Sequence, residues 1–145
     1  MSLDNLVGKS LERIVPAEST IKRLVAAANW NISDSKVQAV SNENRFDSAY
    51  KAILQMANAA LQVNGLRPST SQPGHHMTML QSLPKTLGVN PKTVIVYDIL
   101  RKRRQVVDYS GELISPESVR ECIKQAEKLQ KLMLDWLEKN KPEFK

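Results

Sequence analysis

Four consecutive side chains, Arg101, Lys102, Arg103 and Arg104, and one adjacent pair, His75 and His76, are the residues of this chain whose types could do chemistry together. Guanidinium groups bind phosphate bidentately and keep their charge at physiological pH. Imidazole titrates near neutrality and can carry a proton to or from a reacting oxygen. Asp108 and Tyr109 follow within two helical turns of the basic run. An aspartate with a pKa near about 4 is a poor general acid at neutral pH, and a tyrosine near about 10 is a poor base, unless burial retunes them. No metal site is expected. Neighbouring helical residues point about 100° apart, and no Cys, Asp or Glu lies close to His75 and His76 to complete a ligand set. No phosphate-cradling glycine loop, Gly-x-Ser-x-Gly elbow or zinc pattern occurs, and no cofactor is implied.

The basic run also dominates the charge distribution. The net charge is +6 over 145 residues. Residues 1–50 balance at six basic and six acidic side chains, whereas residues 85–114 hold six basic against three acidic. Such a cluster suits phosphate-bearing partners; its plainer reading is a solvated helix face. The single cysteine, Cys122, cannot form an intramolecular disulfide and fits a reducing, cytoplasmic compartment. The longest apolar runs are far too short to span a membrane.

Hydrophobic periodicity supplies the elements that must position these groups. It predicts long helices over about 18–40, 44–64, 91–108 and 116–140, with a short one over 75–83 stopped near Pro84. Asn90-Pro91 and Ser115-Pro116 read as a capping residue followed by proline at the first helical position. Residues 67–74, rich in Pro, Ser and Thr, read as a loop. The first fifteen residues read as a short helix or an arm. Four long helices with short connections predict an all-α, up-and-down bundle of four to five helices in one domain over 1–145, its core about 18–140. Cys122 falls on the apolar stripe of the last helix, and Trp30 and Trp136 read as core or interface anchors.

The third long helix is unusual. With Val96 at zero, Leu100 falls near about 40°, Val107 near about 20° and Ile99 near about 300°, and Arg103 lies among them near about 340°. Arg104 lies on the border of this stripe, near about 80°. An arginine there is at a fraying end, snorkels outward, or lines a cleft.

Several segments together resemble the HEPN family (higher eukaryotes and prokaryotes nucleotide-binding domain). The run Arg104-Gln105-Val106-Val107-Asp108-Tyr109 is similar to the family's Arg-Asn-x-Ala-Asp-Tyr variant. The alanine-rich helix from Arg45 through Leu61 resembles its core helix. Gly74-His75-His76 with Leu80 and Leu83 resembles the loop and short helix that follow, and the helix opening at Ser115-Pro116 resembles the family's last. The resemblance covers about 18–140. It implies a HEPN-like bundle, usually homodimeric, with Arg101, Arg103, Arg104, Asp108 and Tyr109 in a cleft that binds RNA or a nucleotide. It implies as partners a cognate nucleotidyltransferase or antitoxin protein. Catalytic members are metal-independent endoribonucleases. Here neither register of the motif supplies its histidine: that position is Asp108 or Tyr109, and Gln105 stands where asparagine is usual. The expectation is therefore a non-catalytic binding module. The alternatives are a ribonuclease in which His75 or His76 works beside Arg103 and Arg104 from the loop, and a structural interaction protein with no nucleic-acid partner.

Overall fold

A computed structural model describes residues 3–70, 74–111 and 113–145; the side chains at positions 108 and 109 lie outside that description. The bundle is built around one alanine-rich helix. This is α2 (Asn42–Val63), where Ala49, Ala52, Ala57, Ala59 and Ala60 are all buried. A methyl group on each lets neighbouring backbones approach closely, so α1 (Glu18–Ser35) and α5 (Pro116–Asn140) pack on it over much of their length. α3 (His75–Thr86) and α4 (Pro91–Ser110) complete the bundle. The architecture is all-α, as the periodicity predicts. The single core joins Phe46, Tyr50 and Ile53 of α2 to Ile21 of α1, Leu80 of α3, Tyr97 of α4 and Leu129 of α5.

The helix starts follow their local chemistry. Ser41, Asn90 and Ser115 each accept a backbone N–H of the first turn, from Asn44, Lys92 and Ser118 respectively. Pro91 and Pro116 occupy first positions, where a missing N–H costs nothing. α4 ends at Gly111, in the left-handed conformation, whose N–H reaches the Val107 carbonyl at 3.0 Å.

Four expectations are corrected. α1 stops at Ser35, five residues short of position 40, because the Arg45 guanidinium takes the Ser35 carbonyl at 2.7 Å and satisfies the helix end from a neighbouring element. α3 runs through Pro84 to Thr86, so the proline sits in its last turn rather than ending it. Residues 67 and 68 of the expected loop are strand, and its positions 71–73 lie outside the described residues. Strand β2 (Leu66–Pro68) pairs antiparallel with β1 (Leu11–Arg13), so the N-terminal segment is a strand preceded by a single 3-10 turn over Leu3–Leu6. Trp30 is 72% exposed, which removes the core half of its reading and leaves the interface half, whereas Trp136 packs against the core. Cys122 is fully buried, as expected, and donates to the Phe46 carbonyl at 3.7 Å.

Candidate functional site

α4 rests on α3 and α2 and turns Tyr97 and Leu100 inward. Its inward direction lies between Leu100 and Tyr97, which separates the basic run into two flanks. Arg101 and Arg104 lie on the flank toward α3 and α2. Lys102 and Arg103 lie on the other, with Ile99 and Val106 exposed beside them. Arg103 donates to the Ser118 hydroxyl of α5 across a groove of about 450 Å³, which is lined by Ile99, Val106 and Leu113 as well. Arg103 is exposed along this groove.

Arg104 reaches α2. Its Nε donates to Asp47, and its guanidinium carbon lies 5.6 Å from the centre of the Tyr50 ring, a cation–π distance. Asp47 and Tyr50 sit one turn apart on α2, so one helix face supplies both the counter-ion and the aromatic platform. Arg101 is held by Asp98, one turn earlier on α4, through two contacts at 2.8 and 2.9 Å. Burial alone would raise the Asp98 carboxyl. Hydrogen bonds from Arg101 and Lys102, with their charge, hold it below the usual carboxylate range instead. Both arginines are thus oriented by carboxylates.

The histidines complete this flank. Gly74 caps α3 from the left-handed region, at φ +81°, so the chain turns abruptly into the helix and sets His75 and His76 at its first two positions. Their rings meet edge-on at 4.7 Å, and the His76 ring lies 6.5 Å from that of Tyr50. Gly74, His75, His76, Met77, Arg101 and Gln105 line one groove of about 180 Å³. Burial, followed by the charges of His75, Arg104 and Arg101, lowers the His76 pKa. Tyr50 is 1% exposed, and its hydroxyl has no hydrogen-bond partner among the described residues. Its pKa is pushed up to about 12 by burial, against the opposing pull of Arg101 and Arg104.

A second groove, of about 210 Å³, opens on the far side of Arg104 and is lined by Glu43 and Asp47. Arg104 lines that groove and not the histidine one. Among the described residues, Arg101, His75 and His76 line the histidine groove together, Arg104 lies behind it over Tyr50, and Arg103 faces elsewhere. The expectation for Asp108 and Tyr109 lies outside the described side chains.

Sequence reading missed Asp47, Tyr50 and Asp98. The i, i+3 spacing of Asp98 and Arg101 was a legible signal; the pairing of Asp47 with Arg104 across 57 positions was not. Among the described residues no group of three His, Cys, Asp or Glu could hold a metal ion, and no helix is long and apolar enough to cross a membrane. The chain matches no protein-family model and no curated protein.

Proposed function

We propose that this chain is a HEPN-type module that binds RNA or a nucleotide by its phosphates without cutting it. The observation that carries the reading is the groove in which His75, His76, Arg101 and Gln105 converge, with Arg104 behind it. Arginines held by carboxylates lose little freedom on binding and present fixed donors to a phosphate. The absence of a motif histidine at Asp108 or Tyr109 supports binding over cleavage. The exposed apolar residues of α4, Ile95, Ile99 and Val106, with Leu113 beyond it, support a homodimer formed through that flank. On this reading a cognate nucleotidyltransferase or antitoxin protein is the protein partner, and the site works in the cytoplasm.

Titrating a fluorescent single-stranded RNA across a salt series tests the reading. Affinity should fall with a log–log slope of about 0.7 per phosphate contact, and replacing Arg101 and Arg104 by alanine should remove the share of those two contacts. An unchanged slope in the double variant overturns the site. No RNA or nucleotide binding by the parent leaves only a structural interaction protein.

A second reading, a metal-independent endoribonuclease, is favoured by one observation: His76 and Arg104 flank the same tyrosine ring. An imidazole would take the proton of a ribose 2′-hydroxyl as its oxygen bonds to phosphorus. The bond to the 5′-oxygen would break as the other imidazole, protonated, gives that oxygen its proton, with arginine charge on the phosphoryl oxygens. The products would be a 2′,3′-cyclic phosphate and a 5′-hydroxyl end. Chelator-resistant cleavage, lost when both histidines become alanine, would establish this reading. Prolonged incubation with intact RNA recovered would exclude it.

A further inference from the structure

The histidine groove is too small for a whole nucleotide. Sites that enclose drug-sized ligands occupy roughly 300–1,000 Å³, against about 180 Å³ here. Tyr50 and Tyr97 are buried, and Trp30 and Trp136 lie on α1 and α5, away from its lining. Among the described residues lining it, the only aromatic rings are the two imidazoles, which are packed edge-on against each other.

The groove is instead rich in donors. α3 makes its first intrahelical bond from Thr78 to the Gly74 carbonyl. The backbone N–H groups of His75, His76 and Met77 precede it and have no acceptor within the helix. Gly74 has no side chain with which to cap them. The helix start carries positive dipole toward this space. Arg101 and the Gln105 amide face the same space from α4, and both imidazoles stand at its edge. Behind His76, the buried Tyr50 hydroxyl is a further donor without an acceptor among the described residues, within the electrostatic reach of Arg101 and Arg104. Among the described residues no carboxylate lines this groove, although Asp98 holds Arg101 from beside it.

Resting on the phosphate-binding reading above, we infer that the turn Gly74-His75-His76, with Arg101 and Gln105, is a subsite for a terminal phosphate monoester rather than for an internal phosphodiester. A monoester offers three terminal oxygens and up to two negative charges, which match a helix start, a guanidinium and imidazoles better than the two oxygens and single charge of a diester. An RNA strand would then be held by its end.

The test compares one oligoribonucleotide sequence with a 5′-phosphate, a 3′-phosphate or hydroxyls at both ends, by fluorescence anisotropy with the full-length chain near pH 6.5. Inorganic phosphate serves as competitor. One or both phosphorylated strands should bind about tenfold more tightly than the hydroxyl strand, the worth of one added charge-assisted interaction. Which strand does so identifies the end, and inorganic phosphate should erase the advantage. The ratio should fall toward one in Arg101→Gln and His76→Ala. The ratio and the phosphate competition in the parent protein decide the matter even where a variant does not fold. Equal binding of all three strands overturns the subsite and leaves the RNA-binding reading standing. No binding of any strand overturns both.

Discussion

Replacing Tyr50 by phenylalanine should stabilise the unliganded protein. The Tyr50 ring is 1% exposed in the centre of the bundle, and its hydroxyl is the one buried side-chain polar atom without a partner among the described residues. With a pKa near 12 it stays protonated throughout the working range, so it is always a donor awaiting an acceptor. Burying such a group unpaired costs about 1–3 kcal/mol by mutational measures. Phenylalanine keeps the ring, its packing and its face toward Arg104, and removes the cost. A gain of about 1 kcal/mol is expected, which for a chain of this size raises Tm by roughly 3–5 °C. Urea denaturation should show a higher midpoint with an unchanged slope. Phosphate should stabilise the variant less than it stabilises the parent, because the hydroxyl would no longer be recruited. A loss of stability of 1 kcal/mol or more would show that the hydroxyl is satisfied in solution, and the reasoning that makes it a waiting donor would fail.

Other outcomes follow from single contacts. Ile99→Glu should turn a dimer into a 16 kDa monomer in sedimentation velocity, since Ile99 is 51% exposed on the apolar flank of α4; a parent already monomeric at micromolar concentration refutes the interface. Gly65→Ala should cost about 1–3 kcal/mol, because φ is +76° and the new Cβ would lie 3.2 Å from the Ile14 carbonyl; a neutral result in urea denaturation would contradict that backbone. Burial raises the pKa of the Cys122 thiol, so a thiol reagent should react only at the rate at which the chain opens, and rapid labelling in native buffer would disprove its burial. Because the His76 pKa is lowered in the fold, the unfolded chain binds the proton more readily below about pH 6.5. Stability should therefore fall as pH drops through that window, and His76→Gln should flatten the dependence in urea midpoints at pH 5 and pH 7.

Local signals in the sequence carried most of the architecture. The capping pairs at Asn90 and Ser115, Gly111 and the alanine stripe of α2 act through neighbours one turn away, so they are readable from spacing. The end of α1 was not readable, because its carbonyl partner is Arg45, on another helix. The strand pair was not readable either, since three residues on each side are too few to show alternation. At the candidate site, periodicity placed Arg104 at the edge of the buried face, which is where it lies. It also drew Arg103 into the apolar stripe of α4, because Ile99 and Val106 are apolar without being covered. Asp47 and Tyr50 escaped notice as parts of the site, for only the packing of α4 on α2 brings them to Arg104.

The β1–β2 ribbon has a consequence for the order in which the chain assembles. Leu11 pairs with Pro68 and Arg13 with Leu66, so the ribbon closes a loop containing the whole of α1 and α2. Closing so long a loop for three residue pairs is entropically unfavourable until the two helices have docked on each other. The helical pair, whose contacts are nearer in sequence, should form first and the ribbon last. In the native protein the same ribbon should open first. Native-state amide exchange should therefore show Ile14 and Ser69, bonded to Gly65 and Ser10 across the ribbon, exchanging through a partial opening well before the amides of α2.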